Sequence, residues 1–207
     1  MIALVKVGGS LLDWPDFPQR LTAFLEARRD WEPGVRPVLL GGGGRFADAV
    51  RHLDRVHRLG EVASHRLAIR SMDLVSEVLG RLIPGARFID RLEALGHALP
   101  ADYSILVPSR ILDAMEETDP DPLPCCWDVT SDSIAAWLAD RLEVRSLVLL
   151  KSASIAEGST REDAARIGLV DPFFPIVSKG VDRVEFVILR DPVARVIELG
   201  WSKGAQP

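Results

Sequence analysis

Lys6-Val7-Gly8-Gly9-Ser10 joins a mobile cation to backbone that a ligand can approach closely, the two ingredients of an oxyanion site. Glycine lacks a Cβ, so successive amide N–H groups can converge on an anion, and a lysine ammonium on its long stem can follow a phosphate that moves. A second run, Gly41-Gly42-Gly43-Gly44, follows the apolar Val38-Leu39-Leu40 and leads straight into a helical segment near Arg45. Two glycine-rich strand ends predict two phosphate sites facing each other, and with them phosphoryl transfer. Neither run is a Walker A loop, since no Gly-Lys-Ser/Thr follows the glycines, and neither has the G-x-G-x-x-G spacing of a dinucleotide fingerprint. Either run alone also reads as a tight strand-to-helix turn. The pair, together with the lysine, points to phosphate.

Lysine is scarce in this chain: of 25 basic residues, 21 are arginine and four are lysine, at 6, 151, 179 and 203. Lys6 and Lys151 both close predicted strands, whereas Lys203 reads as a solvated tail residue. Asp128-Val129-Thr130-Ser131-Asp132 sets two carboxylates four residues apart at a helix start. Capping of free N–H groups accounts for one of Asp128, Thr130 and Ser131, but not for all of them. Asp132 falls in the first turn, placed to orient a lysine that points at phosphate. His65 shares a helix face with Ile69 and Met72 and points inward, as a satisfied core histidine or as a functional group. Arg66, Arg70, Asp73 and Glu77 share another face and read as a salt-bridged surface. Cys125, Cys126 and Trp127 read as packing residues, and Phe173-Phe174-Pro175 as a lid or as packing.

These groups need a scaffold. Ile2–Val5, Val38–Leu40, Ala86–Ile89, Ile105–Val107, Leu147–Leu150 and Val184–Leu189 are short apolar runs that read as buried strands. Between them lie helical stretches: one entered at Asp13–Asp16 with Phe17, Leu21, Phe24 and Leu25 on one face, one carrying Phe46, Ala47, Val50 and Leu53, and a long one from Val62 to Leu82. The long helix has a core stripe predicted at Leu67, Leu74, Val75, Val78 and Leu82. Asp90–Glu93 has capping-box spacing, Thr160–Asp163 is a second helix start, and Asp191-Pro192 opens a final short helix. Three prolines between 120 and 124 mark a linker. Strands alternate with helices and no internal repeat is visible. The expected class is α/β, a three-layer sandwich around a mainly parallel sheet, in a single domain with an acceptor lobe of about 1–124 and a nucleotide lobe of about 125–207. Ligands then belong at the carboxyl ends of the strands, where both glycine runs and Lys151 fall.

Composition narrows the function classes. The net charge of −5 argues against non-specific binding of nucleic acid or anionic membranes, and no apolar run approaches the roughly 20 residues of a membrane span. The start of the chain lacks a signal-peptide pattern, and the two adjacent cysteines suit neither a mutual disulfide nor a zinc site. Cytoplasm is the expected compartment.

Lys6-x-Gly8-Gly9-Ser10, Gly41–Gly44, Asp128-Val-Thr130-Ser131-Asp132 and the strand after it resemble the amino acid kinase superfamily in order and spacing. That superfamily includes the acetylglutamate, uridylate and isopentenyl phosphate kinases. Ser64 to Leu74, Trp127-x-x-Thr130-Ser131-Asp132-Ser133 and Val170-Asp171-x-x-Phe174-Pro175 resemble the branch containing the aminomethylfuran phosphate kinase of methanofuran biosynthesis. The resemblance implies an ATP-dependent, Mg²⁺-assisted transfer to a small acceptor, with a homo-oligomeric enzyme as the expected assembly. It implies Lys6 on the transferring phosphoryl group, Gly8, Gly9 and Ser10 on ATP phosphates, and Asp132 organising a catalytic lysine. Gly42, Gly43, Gly44 and Thr130 fall to the acceptor, His65 to its phosphate, and Asp128, ahead of Asp73, to an ammonium group if the acceptor has one. Two departures stand out. Lys151-Ser152-Ala153-Ser154-Ile155-Ala156-Glu157-Gly158 replaces the usual Thr-Asp-x-Asp-Gly loop, and the C-terminal Gly-Gly-Met…Lys segment is missing. Either Lys151 or Lys179 then takes the part of the second lysine, or nothing does. The alternative expectation is a degenerate relative that binds a nucleotide or metabolite as a non-catalytic or assembly subunit.

Overall fold

Strand β1 (Ile2–Val7) is buried along almost its whole length, as a short apolar run flanked by parallel neighbours must be. The computed structural model describes residues 1–31, 33–96 and 103–202, so Lys203 lies outside the described residues. β1 pairs in parallel with β2 (Arg36–Gly41) on one side and with β5 (Ser146–Lys151) on the other. β3 (Arg87–Ile89) and β4 (Ser104–Leu106) extend the sheet beyond β2. β6 (Val184–Ile188) follows β5, and β7 (Arg195–Glu198) closes the far edge antiparallel to β6. The order is therefore β3-β4-β2-β1-β5-β6-β7, a single seven-stranded sheet. The chain leaves β1 toward β2 and later returns to β5 on β1's other side, so the order reverses about β1. Clefts for ligands form at such a switch point.

Alternation along the strands divides the core into two layers. Leu4, Val38, Leu40, Leu147 and Leu149 face one cluster, while Val5, Val7, Leu39, Val148 and Leu150 face the other. Helix α1 (Phe17–Trp31) covers the second face with Phe17, Leu21, Phe24 and Leu25. The first face is covered by α5 (Pro108–Glu116) and by α6 (Ser131–Arg141), which is buried on nearly every side from Asp132 to Ala139. Ala135, Ala136 and Ala139 let α6 sit close against the sheet. The three-layer α/β sandwich is thus realised. Short α4 (Glu93–Gly96), α7 (Arg161–Arg166) and α8 (Phe174–Val177) fill the edges, and Thr160 and Asp163 form a reciprocal capping box at the start of α7.

Two sequence expectations fail. In α3 (Glu61–Leu82) Val75 is buried as expected, but Leu67 and Leu74 are exposed, and the core stripe joins Val75 to Ile69, Met72 and Leu79. The buried side of the helix also includes Ser64, His65, Ser71 and Ser76. The helix expected over Phe46, Ala47, Val50 and Leu53 forms as α2 (Gly44–His57), with none of its residues buried and Phe46 and Leu53 exposed. Asp191-Pro192 opens no helix: the Arg20 guanidinium donates to the carbonyls of Leu189, Asp191 and Pro192, and the chain then turns into edge strand β7. Phe174 is wholly buried, so that segment packs rather than forming a lid.

Candidate active site

Lys6 and Lys151 end adjacent parallel strands and, by the period of two, project to the same face as Leu4 and Leu149. The start of α6 lies over that face and carries Asp132. The Lys6 ammonium lies 2.8 Å from Asp132 Oδ1, and Lys151 Nζ donates to Oδ2 at 2.7 Å. Lys6 and Oδ1 form a buried ion pair, and its charge favours the ionised carboxyl. Lys151 donates a second time, to the Leu169 carbonyl at 2.6 Å. One carboxylate thus registers two cations, and the cluster keeps a net positive charge suited to phosphate.

The titration of these groups follows from burial and charge. Burial by itself would raise the Asp132 carboxyl, but the Lys151 and Lys6 charges outweigh it and hold the group at about 2. Burial pulls Lys151 down to about 8, with Lys6 adding to the effect and Asp132 and Asp171 opposing it. Asp132 also sits in the first turn of α6, where the helix dipole favours an anion.

The two glycine runs touch. A Cβ on Gly9 would lie 2.3 Å from Gly44 Cα, and one on Gly42 would lie 2.8 Å from Ser131 Oγ and 3.2 Å from Lys6 Cε. Glycine is needed here for closeness: the loops, the lysine and the start of α6 occupy one small volume. The Gly8 amide donates to Leu150 O and the Gly42 amide to Val7 O, both at 2.9 Å, so these two N–H groups tie the loops to the sheet. Helix α2 begins at Gly44, and the amides of its first turn have no intrahelical carbonyl to meet. The Ser10 hydroxyl pairs with that of Ser152 at 2.9 Å, joining the first loop to the segment after β5.

Beside this centre lies a cavity of about 200 Å³, lined by Gly43, Gly44, His65, Thr130 and Ser131 and walled by Ile69, Met72, Val129, Ile134 and Trp127. Asp48 and Arg51 of α2 complete its rim. The Arg51 guanidinium stacks on the Trp127 ring 4.9 Å from its centroid, and Trp127 Nε1 donates to Asp54 at 2.9 Å. His65 Nδ1 lies 3.0 Å from the Cys126 carbonyl, which requires Nδ1 to carry the proton and leaves Nε2 as an acceptor in the neutral ring. Nε2 is buried and has no partner among the described residues, and burial lowers the ring below the usual histidine range.

Of the residues singled out in the sequence, Lys6, Gly8, Gly9, Gly42, Asp132 and Lys151 come together where the two loops meet the start of α6, and Gly43, Gly44, His65 and Thr130 line the cavity next to them. Asp128 is exposed and outside that lining, and Asp73 is engaged by the Ser109 amide at 3.0 Å. Lys179 is exposed in a separate groove with Phe173 and Trp137. Of the cavity walls, Asp48 and Arg51 were not picked out from the sequence, Met72 was noted only as sharing the His65 face, and Trp127 was read as a packing residue.

Solved structures with this fold include the uridylate kinase of Archaeoglobus fulgidus, with a TM-score of 0.60 and 13% identity over 97% of this chain and 92% of that one. The UMP kinase of Bacillus anthracis superposes with a TM-score of 0.65 and 14% identity, over 92% of this chain and 88% of its own. In sequence, the chain is 27% identical to the [5-(aminomethyl)furan-3-yl]methyl phosphate kinase of Methanocaldococcus jannaschii, over 95% of this chain and 91% of that protein. Residues 1–171, which hold both glycine loops, Lys6, Asp132 and Lys151, match the amino acid kinase family, and the chain belongs to it.

Proposed function

We propose that this protein transfers the γ-phosphoryl group of ATP to a small acceptor that already bears a phosphate, namely aminomethylfuran phosphate, giving its diphosphate in methanofuran-type C1-carrier biosynthesis. The observation that carries the reading is Asp132 holding Lys6 and Lys151 together where the two glycine loops meet. The likeness over nearly the full chain to the M. jannaschii enzyme supports the acceptor. Its size suits the cavity, whose walls are apolar and aromatic on one side and whose amides and His65 lie on the other.

In this reading the Gly9–Ser10 loop and Lys151 hold the nucleotide phosphates, and Lys6 stays on the phosphoryl group as it moves. A Cβ at Gly8, Gly9 or Gly42 would meet Leu150 O, the Gly44 backbone or Ser131 Oγ, so glycine lets the two loops close up beside the lysines. Gly43, Gly44 and the first turn of α2 take the acceptor phosphate, with Thr130 beside them. An acceptor oxygen attacks the γ-phosphorus, the bond to the β–γ bridging oxygen breaks, and ADP leaves. A phosphate dianion needs no general base, which fits a carboxylate held at about 2 by two lysines. The residues position and neutralise charge, which is most of what phosphoryl transfer requires. Mg²⁺ would travel on the nucleotide oxygens and offset their charge; among the described residues no group of three or more His, Cys, Asp or Glu is arranged to hold a metal. The reading also takes the protein as a cytoplasmic homo-oligomer whose partners are small molecules rather than nucleic acid or membrane. No described helix is long and apolar enough to cross a bilayer.

The departure at 151–158 favours a second reading, a kinase-fold protein that binds nucleotide without turnover. A screen of Mg·ATP with aminomethylfuran phosphate, isopentenyl phosphate, nucleoside monophosphates and acyl amino acids, read by ADP release, separates the two. The expected result is turnover of the furan phosphate, lowered about 10²–10³-fold in folded Lys6→Ala. Calorimetric ATP binding without turnover of any acceptor supports the second reading, and wild-type turnover by Lys6→Ala rejects the assigned centre.

A further inference from the structure

The start of a helix presents N–H groups that need acceptors, and α6 does not supply its own. Its N-cap, Thr130, has extended backbone suited to capping, yet its side chain accepts no amide hydrogen. The acceptor comes from Asp171, 41 residues away. Asp171 Oδ2 takes the Thr130 amide at 3.1 Å, the Thr130 hydroxyl at 2.6 Å and the Ser133 amide at 3.1 Å. Oδ1 takes the Ser133 hydroxyl and the amides of Phe173 and Phe174, these last at 3.2 and 3.1 Å. Six donors converge on one buried carboxylate, three on each oxygen. Only an ionised, acceptor-only group can meet that set.

We propose that Asp171 is a positioning residue for phosphoryl transfer, acting through Asp132 and Lys151 without touching substrate; the proposal rests on the kinase reading. Thr130 and Ser133 flank Ser131 and Asp132, so fixing both of their amides on one oxygen fixes the direction in which Asp132 leaves α6. The chain just before Asp171 holds the other partner, because the Leu169 carbonyl accepts from Lys151 Nζ. Residues 169–171 therefore register the lysine and the carboxylate against each other. Phe174, wholly buried at the start of α8, anchors the clamp to the core. Asp171 also bears on Lys151 by charge. The charges facing Lys151 are Asp132 from α6, Lys6 from β1 and Asp171 from this segment. Ordinary capping would need one or two of these hydrogen bonds and would have no bearing on a lysine at the end of a strand.

The test uses the small number of lysines. With ¹⁵N-labelled lysine side chains, the resonances of the four lysines are assigned by Lys→Arg variants and titrated in wild type, Asp171→Asn and Ser133→Ala. Asn presents an NH₂ to donors, so Asp171→Asn loses half the clamp and its charge. The Lys151 midpoint is expected to move down by roughly half a pH unit or more. kcat on the furan phosphate is expected to fall by up to about 10²-fold with little change in acceptor KM, since small misplacements of reacting groups cost that much. Ser133→Ala removes one hydrogen bond and no charge; it should lower kcat without moving the Lys151 midpoint, and it guards against poor folding of Asp171→Asn. An unmoved Lys151 midpoint in folded Asp171→Asn, or activity in both variants that tracks only the folded fraction, overturns the positioning role. Should wild type turn over no acceptor, the kinase reading fails by itself, and the lysine titration still decides whether Asp171 governs Lys151.

Discussion

Asp132→Asn removes one charge and almost no volume, so it isolates what the carboxylate does for the two lysines. The magnitude follows from its titration. A buried carboxyl held at about 2 against an ordinary 3.8 has gained more from Lys151 and Lys6 than burial took away. At about 1.4 kcal/mol per pH unit, the net coupling is roughly 2 kcal/mol. The folded value lies below the unfolded one, so this stability is present in full above 3.8 and is lost as pH falls through about 2. In the Asn protein two ammonium groups crowd a neutral amide. Lys151, already near 8, then sheds its proton at lower pH, which limits the damage. The expected loss is roughly 2 kcal/mol at pH 7, smaller at pH 9, where Lys151 is neutral in the wild type as well, and vanishing in strong acid. Urea denaturation across that range, beside ADP release, measures it; turnover should drop about 10²–10³-fold with acceptor KM little changed. A deficit that persists undiminished in acid, or a stable Asn protein with wild-type turnover, would refute the electrostatic account.

Three further outcomes follow from the same geometry. Gly9→Ala should cost about 1–3 kcal/mol and most of the turnover, because its Cβ meets the Gly44 backbone; Gly200→Ala, with no atom within 4 Å, is the control, and equal urea midpoints for the two would discount the crowding. The nucleotide kcat/KM should fall as pH rises through about 8, where Lys151 loses its proton, and Lys151→Arg should flatten that limb while Lys179→Ala leaves it in place. Neutral His65 offers Nε2 only as an acceptor, so holding an acceptor phosphate requires it to gain a proton. Affinity for phosphorylated acceptors should therefore be greatest below the ring's depressed pKa and fall as pH rises through the bound-state value. Calorimetry in buffers of different ionisation enthalpy should find proton uptake in wild type and none in His65→Ala.

How much of this could be read from the sequence depended on the reach of each interaction. Lys6 and the glycine loops were legible because a strand, its terminal lysine and the following glycines are contiguous. The sharing of Asp132 by Lys6 and Lys151 was not, since the Val7–Leu150 pairing spans most of the chain and strand adjacency is not written in sequence order. Given that pairing, the alternation of side chains puts both lysines on the α6 face with no further information. α3 misled for the opposite reason. Its buried side is rich in serine, with Ser76 donating to the Leu106 carbonyl at 2.7 Å, while Leu67 and Leu74 face outward, so hydrophobicity pointed to the wrong stripe. Asp171 stood in the sequence only as part of the Val170-Asp171-x-x-Phe174-Pro175 resemblance, and four of its six donors come from Thr130 and Ser133, which only the fold brings to it.

The location of the second lysine bears on whether the altered loop at 151–158 matters. Lys151 belongs to the sheet, not to the loop: it ends β5, pairs with Ile188 of β6 and lies one residue beyond the Leu150 that pairs with Val7. Its distance from Lys6 is thus set by strand register, which cannot slip by one residue without exchanging Leu147 and Leu149 with Val148 and Leu150 between the two core layers and turning Lys151 away from α6. Asp132 is set by α6, and α6 by Asp171. None of these constraints passes through Ser152 to Gly158. Loss of the usual loop residues therefore leaves the charge arrangement intact, and its effect falls on how the nucleotide is held beyond its phosphates, where the Ser10–Ser152 hydroxyl pair links that segment to the first loop. On this argument the change in the loop bears on nucleotide affinity and not on the transfer step.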